Sequence, residues 1–178
     1  MTLSSAVSAP HDRLLGSLKE SDFEYCKKLG VDPMVPVAIA GVESGWTPWI
    51  LRVNSSKRIK VEAEGIKKVA PNVFKCATKE KCEALALILI KKGFKNIDLG
   101  MFQLNYYHQR KKDSSFSVYE AFDLRRAYRR ACRIVAANFK VQGRTANAVA
   151  LYHSSRPYRN YNYAVKFWRI YLKLKGEK

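Results

Sequence analysis

The stretch Asp32 to Trp49 reads DPMVPVAIAGVESGWTPW, and the placement of every other segment follows from it. Asp32 suits a helix N-cap and Pro33 a first helical residue. Val35, Ala38, Ile39 and Val42 then recur at i, i+3, i+4 and i+7, the spacing of one buried helical face. Ser44-Gly45 breaks the helix, and Trp46, Pro48 and Trp49 follow with aromatic and rigid surface. Glu43 is thereby left in the last turn. A carboxyl there faces the negative end of the helix dipole, and apolar neighbours desolvate it. Both effects favour the neutral acid, the form required of a general acid. A solvated glutamate at a frayed helix end is the plainer alternative.

Upstream, Leu14 to Leu29 reads as helix, with Leu14, Leu15, Leu18, Phe23, Cys26 and Leu29 apolar, a possible restart at Ser21-Asp22, and Gly30 as its end. Downstream the period changes. Ile59, Val61 and Ala63 alternate with Lys60, Glu62 and Glu64, the pattern of a half-buried strand. Asn54-Ser55-Ser56 offers a turn from a short strand at Leu51 to Val53, which predicts a small, poorly covered hairpin. Cys76 to Cys82 leads into a helix through Ala84, Leu85, Leu87, Ile88 and Ile90, ended by Gly93.

Asn96 to Asn105 (NIDLGMFQLN) is uneven for strand or helix. Gly100 lets backbone or ligand approach, and Gln103 and Asn105 offer paired amide donors and acceptors, suiting a pocket wall or a tight turn into a core helix. Glu120 to Lys140 predicts a helix with Leu124, Ala127, Tyr128, Ala131, Ile134 and Val135 inward. Arg125, Arg126, Arg129, Arg130 and Arg133 fall on its other side, a solvated face or a docking face for an anionic polymer. Thr145 caps Ala146 to Leu151, and a final helix from about Asn162 to Lys175 buries Ala164, Phe167, Trp168, Tyr171 and Leu172, with Tyr158, Tyr161 and Tyr163 crowded at its entrance.

These elements make the chain mainly α, with a minor β component. Its 178 residues, 47% hydrophobic, fit a single domain over 13–178 behind a flexible tail or signal remnant at 1–12. Lys and Arg number 33 against 15 Asp and Glu, a formal charge of +18 that draws the molecule to polyanions such as nucleic acid, anionic lipid or a bacterial cell wall. Four cysteines, Cys26, Cys76, Cys82 and Cys132, lack the paired spacing of a zinc site and fit two disulfides in an oxidising compartment. Three pairings are open, of which Cys76 with Cys82 and Cys26 with Cys132 is preferred. No stretch is long and apolar enough to span a membrane.

A phosphate-cradling glycine loop, a His-Glu-x-x-His helix and a Gly-x-Ser-x-Gly elbow are all missing from the sequence, and the three histidines, His11, His108 and His153, are scattered. One placed acid with polar and aromatic helpers remains. Such an acid cleaves a glycosidic bond if a second carboxylate assists, or if the substrate supplies its own nucleophile. Asp98 is the best second carboxylate by sequence, with Asp32, Glu62, Glu64 and Asp123 also open.

Taken together, Glu43-Ser44-Gly45-Trp46 with Pro48, Gly100 to Asn105 preceded by Asp98-Leu99, and Leu151-Tyr152-His153-Ser154 resemble, in order and spacing, three motifs of one family. It is the lytic transglycosylase and goose-type lysozyme superfamily, and in particular the small stand-alone transglycosylases that accompany secretion and conjugation machines. Their counterparts there are the catalytic Glu-Ser, Gly-Leu-Met-Gln-Ile-Asn and Ala-Tyr-Asn-Ala motifs, and Tyr163-Ala164 falls where the family closes its site with an aromatic residue. The resemblance runs from about Cys26 to Lys173. It implies an α+β lysozyme-like fold with a substrate groove, and cleavage of the bond between N-acetylmuramic acid and N-acetylglucosamine in peptidoglycan. Glu43 would be the catalytic acid and then base, yielding a 1,6-anhydro sugar. Ser44 would orient Glu43. Gln103 and Tyr152 would hold sugar and acid, and Tyr163, Met101, Phe102 and His153 would line the site. The resemblance implies no metal or organic cofactor. It implies glycan strands as partner, with a secretion or conjugation apparatus as a possible second, no nucleic acid, and a monomer that is periplasmic or secreted. Two departures stand out. His153 replaces the usual Asn, so imidazole must make the amide's contact or that contact is lost, and Phe102 replaces the common Met, enlarging that wall. A hydrolytic muramidase using Glu43 with Asp98, and a non-catalytic wall-binding protein, are the alternatives.

Overall fold

The computed structural model describes residues 9–154 and 157–176. In chain order the elements are α1 (Asp12–Ser17), α2 (Glu20–Lys28), α3 (Met34–Ser44), β1 (Ile50–Val53), β2 (Ile66–Ala70), β3 (Val73–Cys76), α4 (Lys79–Lys91), β4 (Ile97–Leu99) and β5 (Leu104–Asn105). They continue with α5 (Tyr106–Lys112), α6 (Val118–Phe122), α7 (Leu124–Gln142), α8 (Ala146–Ala150) and α9 (Pro157–Lys175). The fold is an α+β domain in which helices surround α3 and a small antiparallel sheet flanks them. Residues 1–8 of the expected tail, and the side chain of Tyr158, lie outside the described residues.

Helix α3 is central because its sequence is apolar nearly all round, the pattern of a helix enclosed by others. Val37, Ala38, Ile39 and Ala40 are fully buried, against α7 and α9. Burying side chains the size of Val37 or Ile39 contributes about 1.5–3 kcal/mol each. The helix starts where Asp32 places its carboxylate on the Met34 amide at 2.8 Å. The same carboxylate accepts a bond from the Tyr171 hydroxyl at 2.8 Å, so the start of α3 is tied to the far end of α9. At the other end Gly45 and Trp46 both take left-handed backbone, each with φ of 58°. This doubles the chain back, and the Trp46 indole donates to the Val37 carbonyl at 2.9 Å. The ring fills the space beside Gly41, where a Cβ would stand 2.6 Å from it.

The sheet is larger than the hairpin expected from the sequence. Its five strands run in the order β2-β3-β1-β4-β5, every neighbour antiparallel. The alternating segment Ile59 to Ala63 is not a strand. Its neighbourhood is claimed instead by Asn72, at φ 55° in the turn between β2 and β3. The Asn72 amide nitrogen donates to the Ser55 and Lys57 carbonyls, and its oxygen accepts from the Ile59 amide. Ile59 is buried while Ala63 is exposed, so the local alternation had no continuous face to cover. Strand β1 pairs instead with β3 and β4, partners remote in sequence.

The first helical stretch divides at Leu18-Lys19, because Asp22 accepts the Lys19 amide at 2.9 Å and restarts the chain as α2. The expected helix from Glu120 divides likewise at Asp123, whose carboxylate caps α7 through the Arg126 amide. The last helix begins at Pro157, earlier than the Asn162 expected, and Trp168 is 40% exposed on its outer side. Disulfides Cys26–Cys132 and Cys76–Cys82 join α2 to α7 and β3 to α4, the preferred pairing. The first closes a separation of 106 residues and restricts the unfolded chain by about 4–5 kcal/mol in the loop-entropy account.

The arginines of α7 do not form a free basic face. Arg125 and Arg129 both bond the fully buried Asp22 carboxylate. Arg130, 5% exposed, is held by Glu120, Asp113 and Gln109, and Arg133 lies 3.5 Å from Glu120. Of the five, Arg126 alone has no ion pair among the described residues.

Candidate active site

The break after Ser44 and the turn joining β4 to β5 are locked to one another. The Ser44 hydroxyl donates to the Met101 carbonyl at 2.7 Å, with the Ala40 carbonyl 3.1 Å away. Tyr152, just beyond α8, donates its hydroxyl to the next carbonyl, that of Phe102, at 2.9 Å. The turn itself depends on Gly100, at φ 70°, where a Cβ would meet the Ala121 carbonyl at 2.2 Å. Gln103 follows at φ 46°, its amide donating back to the Gly100 carbonyl at 2.8 Å. Three separate segments are thus fastened together by side chains that the sequence had singled out.

They border a cleft of about 640 Å³, to which Glu43, Gln103, Tyr152 and His153 all contribute. The Glu43 side chain is only 12% exposed, and the His153 Nδ1 lies 3.7 Å from its Oε1. The His153 ring stacks nearly parallel on Tyr163, centroids 4.9 Å apart. Tyr163 is itself buried, its hydroxyl without a bond of ordinary geometry among the described residues. Burial pushes the Tyr163 phenol well above its usual pKa of 10, and the Glu43 charge, Tyr152 and a weak contact to the Glu43 carboxylate add to this. Tyr152 is raised in the same sense by burial and then by the charges of Glu43 and Asp98. Both phenols therefore stay protonated around neutral pH, and Glu43 sits among neutral donors and one imidazole.

Met101 and Phe102 are placed differently from Gln103. Their side chains are 1% and 0% exposed and belong to the core, Phe102 meeting Tyr128 edge-on, so they give the site their carbonyls and not a wall. Tyr163 supports the cleft from behind His153 without lining it.

The rest of the cleft is a row across the sheet. Arg52 on β1 is in register with Asp98 on β4, and Asp98 with Asn105 on β5. Leu51, Val53, Ile97, Leu99 and Leu104 turn the opposite way into the core, as strand alternation requires. Asn54 donates to one oxygen of Asp98 at 2.8 Å and Asn105 to the other at 2.7 Å. Of the six carboxylates that the sequence offered, Glu43 and Asp98 share the cleft, whereas Asp32 and Asp123 serve helix starts and Glu62 and Glu64 are exposed elsewhere. From α5, His108 and Lys112 complete the side of the cleft. The sequence did not single out Arg52 or Lys112, and it offered Asn54 only as a turn residue. The alternation of Leu51-Arg52-Val53 shows that Arg52 faces outward, but what it faces depends on pairing with a strand some 45 residues later.

Among the described residues no group of three or more His, Cys, Asp or Glu is placed to hold a metal ion, and no helix is long and apolar enough to cross a membrane. Comparison with known protein families, with curated proteins and with solved structures found no match to this chain.

Proposed function

We propose that the chain is a peptidoglycan lytic transglycosylase of lysozyme-like fold, in which Glu43 acts first as acid and then as base. The observation that carries this reading is the environment of Glu43. It is a shielded carboxyl at the end of a core helix, opening on a cleft of about 640 Å³, with the Tyr152 and Tyr163 phenols and the His153 imidazole around it. The order of the three sequence motifs, which resemble those of that superfamily, supports it.

In this mechanism the Glu43 carboxyl gives its proton to the glycosidic oxygen as the bond from the muramic acid C1 breaks. The resulting carboxylate takes the proton of the muramic acid C6 hydroxyl while its oxygen bonds to C1. The products are a 1,6-anhydromuramic acid end and a free 4-hydroxyl on N-acetylglucosamine, and Glu43 regains its proton. Water is not consumed. Ser44 and Tyr152 act as positioning residues, because they fix the helix end against the turn that carries Gln103. His153, where the family usually has an amide, faces Glu43 and supplies a polar contact in that place. Two disulfides suit an oxidising compartment, periplasmic or extracellular, where the wall is found.

A second reading, hydrolysis with Asp98 activating water, is favoured by the placement of Asp98 in the same cleft. Against it, both Asp98 oxygens already accept an amide hydrogen bond, which reduces their reach for a water proton. Mass spectrometry of the soluble products from purified peptidoglycan separates the two. Anhydro-muropeptides from the wild type and none from Glu43→Gln are expected. Reducing muropeptides would replace the proposal with the hydrolase, and no product from folded protein would leave a binding protein.

A further inference from the structure

In the cleft a cation stands beside an anion with which it does not pair. Arg52 and Asp98 are directly cross-strand on one face of the sheet. Adjacent opposite charges on a sheet face ordinarily pair. Here Asp98 is taken at both oxygens by Asn54 and Asn105 instead, and the Arg52 side chain has no hydrogen bond or ion pair among the described residues. Arg52 is exposed and lines the cleft. His108 and Lys112 line the same cleft one helical turn apart on α5, and neither has an acidic partner among the described residues.

Helix α5, which presents them, is held from outside the cleft. Gln109 and Asp113 on this helix and at its end are both bound by the buried Arg130. The side chains at 108 and 112 are therefore carried on an anchored element, and their positions are not those of side chains on a loose loop. Arg52 and Lys112 thus keep two charges unspent along the cleft, and among the described residues neither Glu43 nor Asp98 is paired with arginine or lysine.

We propose that Arg52, with Lys112 and His108, forms a carboxylate-binding subsite that recognises the acidic substituent carried on O3 of muramic acid. The inference rests on the transglycosylase reading and adds to it the form of strand preferred. The carboxylate has two possible sources on such a strand. It belongs to the stem peptide where the peptide is present, and to the lactyl group itself where an amidase has removed the peptide. An arginine offers two parallel N–H donors to either.

The test uses the full chain carrying Glu43→Gln, so that strands remain intact, and measures its binding to three soluble strand preparations. One bears stem peptides, one has been stripped by an amidase, and one has had its carboxyls converted to amides. The Arg52→Ala change in that background is expected to weaken binding to peptide-bearing strands about fivefold, the upper range for a solvent-exposed ion pair, and Arg52→Lys to restore part of it. No effect of Arg52→Ala is expected on amidated strands. Loss retained on stripped strands assigns the lactyl carboxylate, and loss confined to peptide-bearing strands assigns the stem. Equal binding by Glu43→Gln with and without Arg52→Ala, or equal loss on amidated strands, overturns the subsite. Product formation by the wild type is scored separately: anhydro products with no role for Arg52 remove only the subsite, and their absence removes the transglycosylase reading.

Discussion

The outer side of α7 and the floor of the cleft handle charge in opposite ways. Beside α7 nearly every arginine is matched: Arg125 and Arg129 close on one buried aspartate, and Arg130 closes on Glu120 and Asp113. In the cleft the acids and bases are left apart. Asp98 is held by amides, and among the described residues Arg52 and Lys112 stand without carboxylates and the His153 imidazole, at 3.7 Å, is the basic group beside Glu43. Buried ions must be compensated because desolvating them is costly. Ions left uncompensated at the wall of a cleft retain their field for whatever enters it. The difference also shows how sequence charge misleads. The arginine run on α7 is the most conspicuous basic feature of the chain, yet it is mostly used internally.

The largest effect is expected at the cleft. Glu43→Gln removes the acid and keeps its shape, so turnover of peptidoglycan should fall by roughly 10²–10⁴-fold, the usual contribution of a placed general acid or base. Unfolding by urea should change little, because Glu43 has no lysine or arginine partner to strand among the described residues. A large stability change with modest loss of turnover would make Glu43 a structural carboxylate and erase the contrast.

On the other side the order reverses. Arg130→Met keeps an apolar side chain of similar length against Phe116, over which the guanidinium now lies at 4.7 Å. It leaves Glu120, Asp113 and Gln109 without their common donor. Breaking a buried pair in this way costs about 3–5 kcal/mol, read as a lower urea midpoint. Activity at low temperature, measured on the fraction still folded, should decline far less than in Glu43→Gln.

What was legible in the chain divides along the same line. Helix α3 and its end at Gly45 were legible because capping, apolar spacing and a glycine at a left-handed position are local signals. Glu43, Gln103 and Tyr152 were legible because each sits at such a break. The sheet was not, because β1 chooses partners remote in sequence, and one side chain in a distant turn, Asn72, decides that 59–63 stays out of it. The partners of the arginines were hidden for the same reason. Asp22 is more than 100 residues from Arg125 and Arg129, and nothing near it in sequence announces the pairing. Met101 and Phe102 belong to a recognisable motif, but a motif does not say which of its side chains turn inward.

A smaller, pH-dependent effect tests Asp22. Burial acts to raise its pKa, but bonds from Arg125, the Lys19 amide and Arg129 outweigh burial and lower it from 3.8 to about 2. A carboxylate with a depressed folded-state value stabilises the fold above its unfolded value, and that contribution is lost as pH falls from about 4 towards 2. The loss should be about 2 kcal/mol, at 1.36 kcal/mol per unit. Asp22→Asn should be less stable than the wild type at pH 6, and the two should converge near pH 2. Parallel curves throughout would mean that the arginines do not hold Asp22 ionised.

The smallest expected effect is the sharpest test of the two kinds of charge. Lys112→Ala removes an exposed cation with no ion-pair partner among the described residues, so its stability should stay within about 0.5 kcal/mol of the wild type. Its retention on sedimented peptidoglycan at low salt should nonetheless fall, about twofold, because one unscreened charge facing the ligand is gone. Arg125→Ala should do the reverse. Arg125 is bound to Asp22 and does not line the cleft, so retention should hold while stability falls. At 1 M salt, where the screening length is about 3 Å, the retention of all three proteins should coincide. If Arg125→Ala lowered retention as much as Lys112→Ala did, net charge alone would govern wall binding, and the placement of cations in the cleft would carry no meaning.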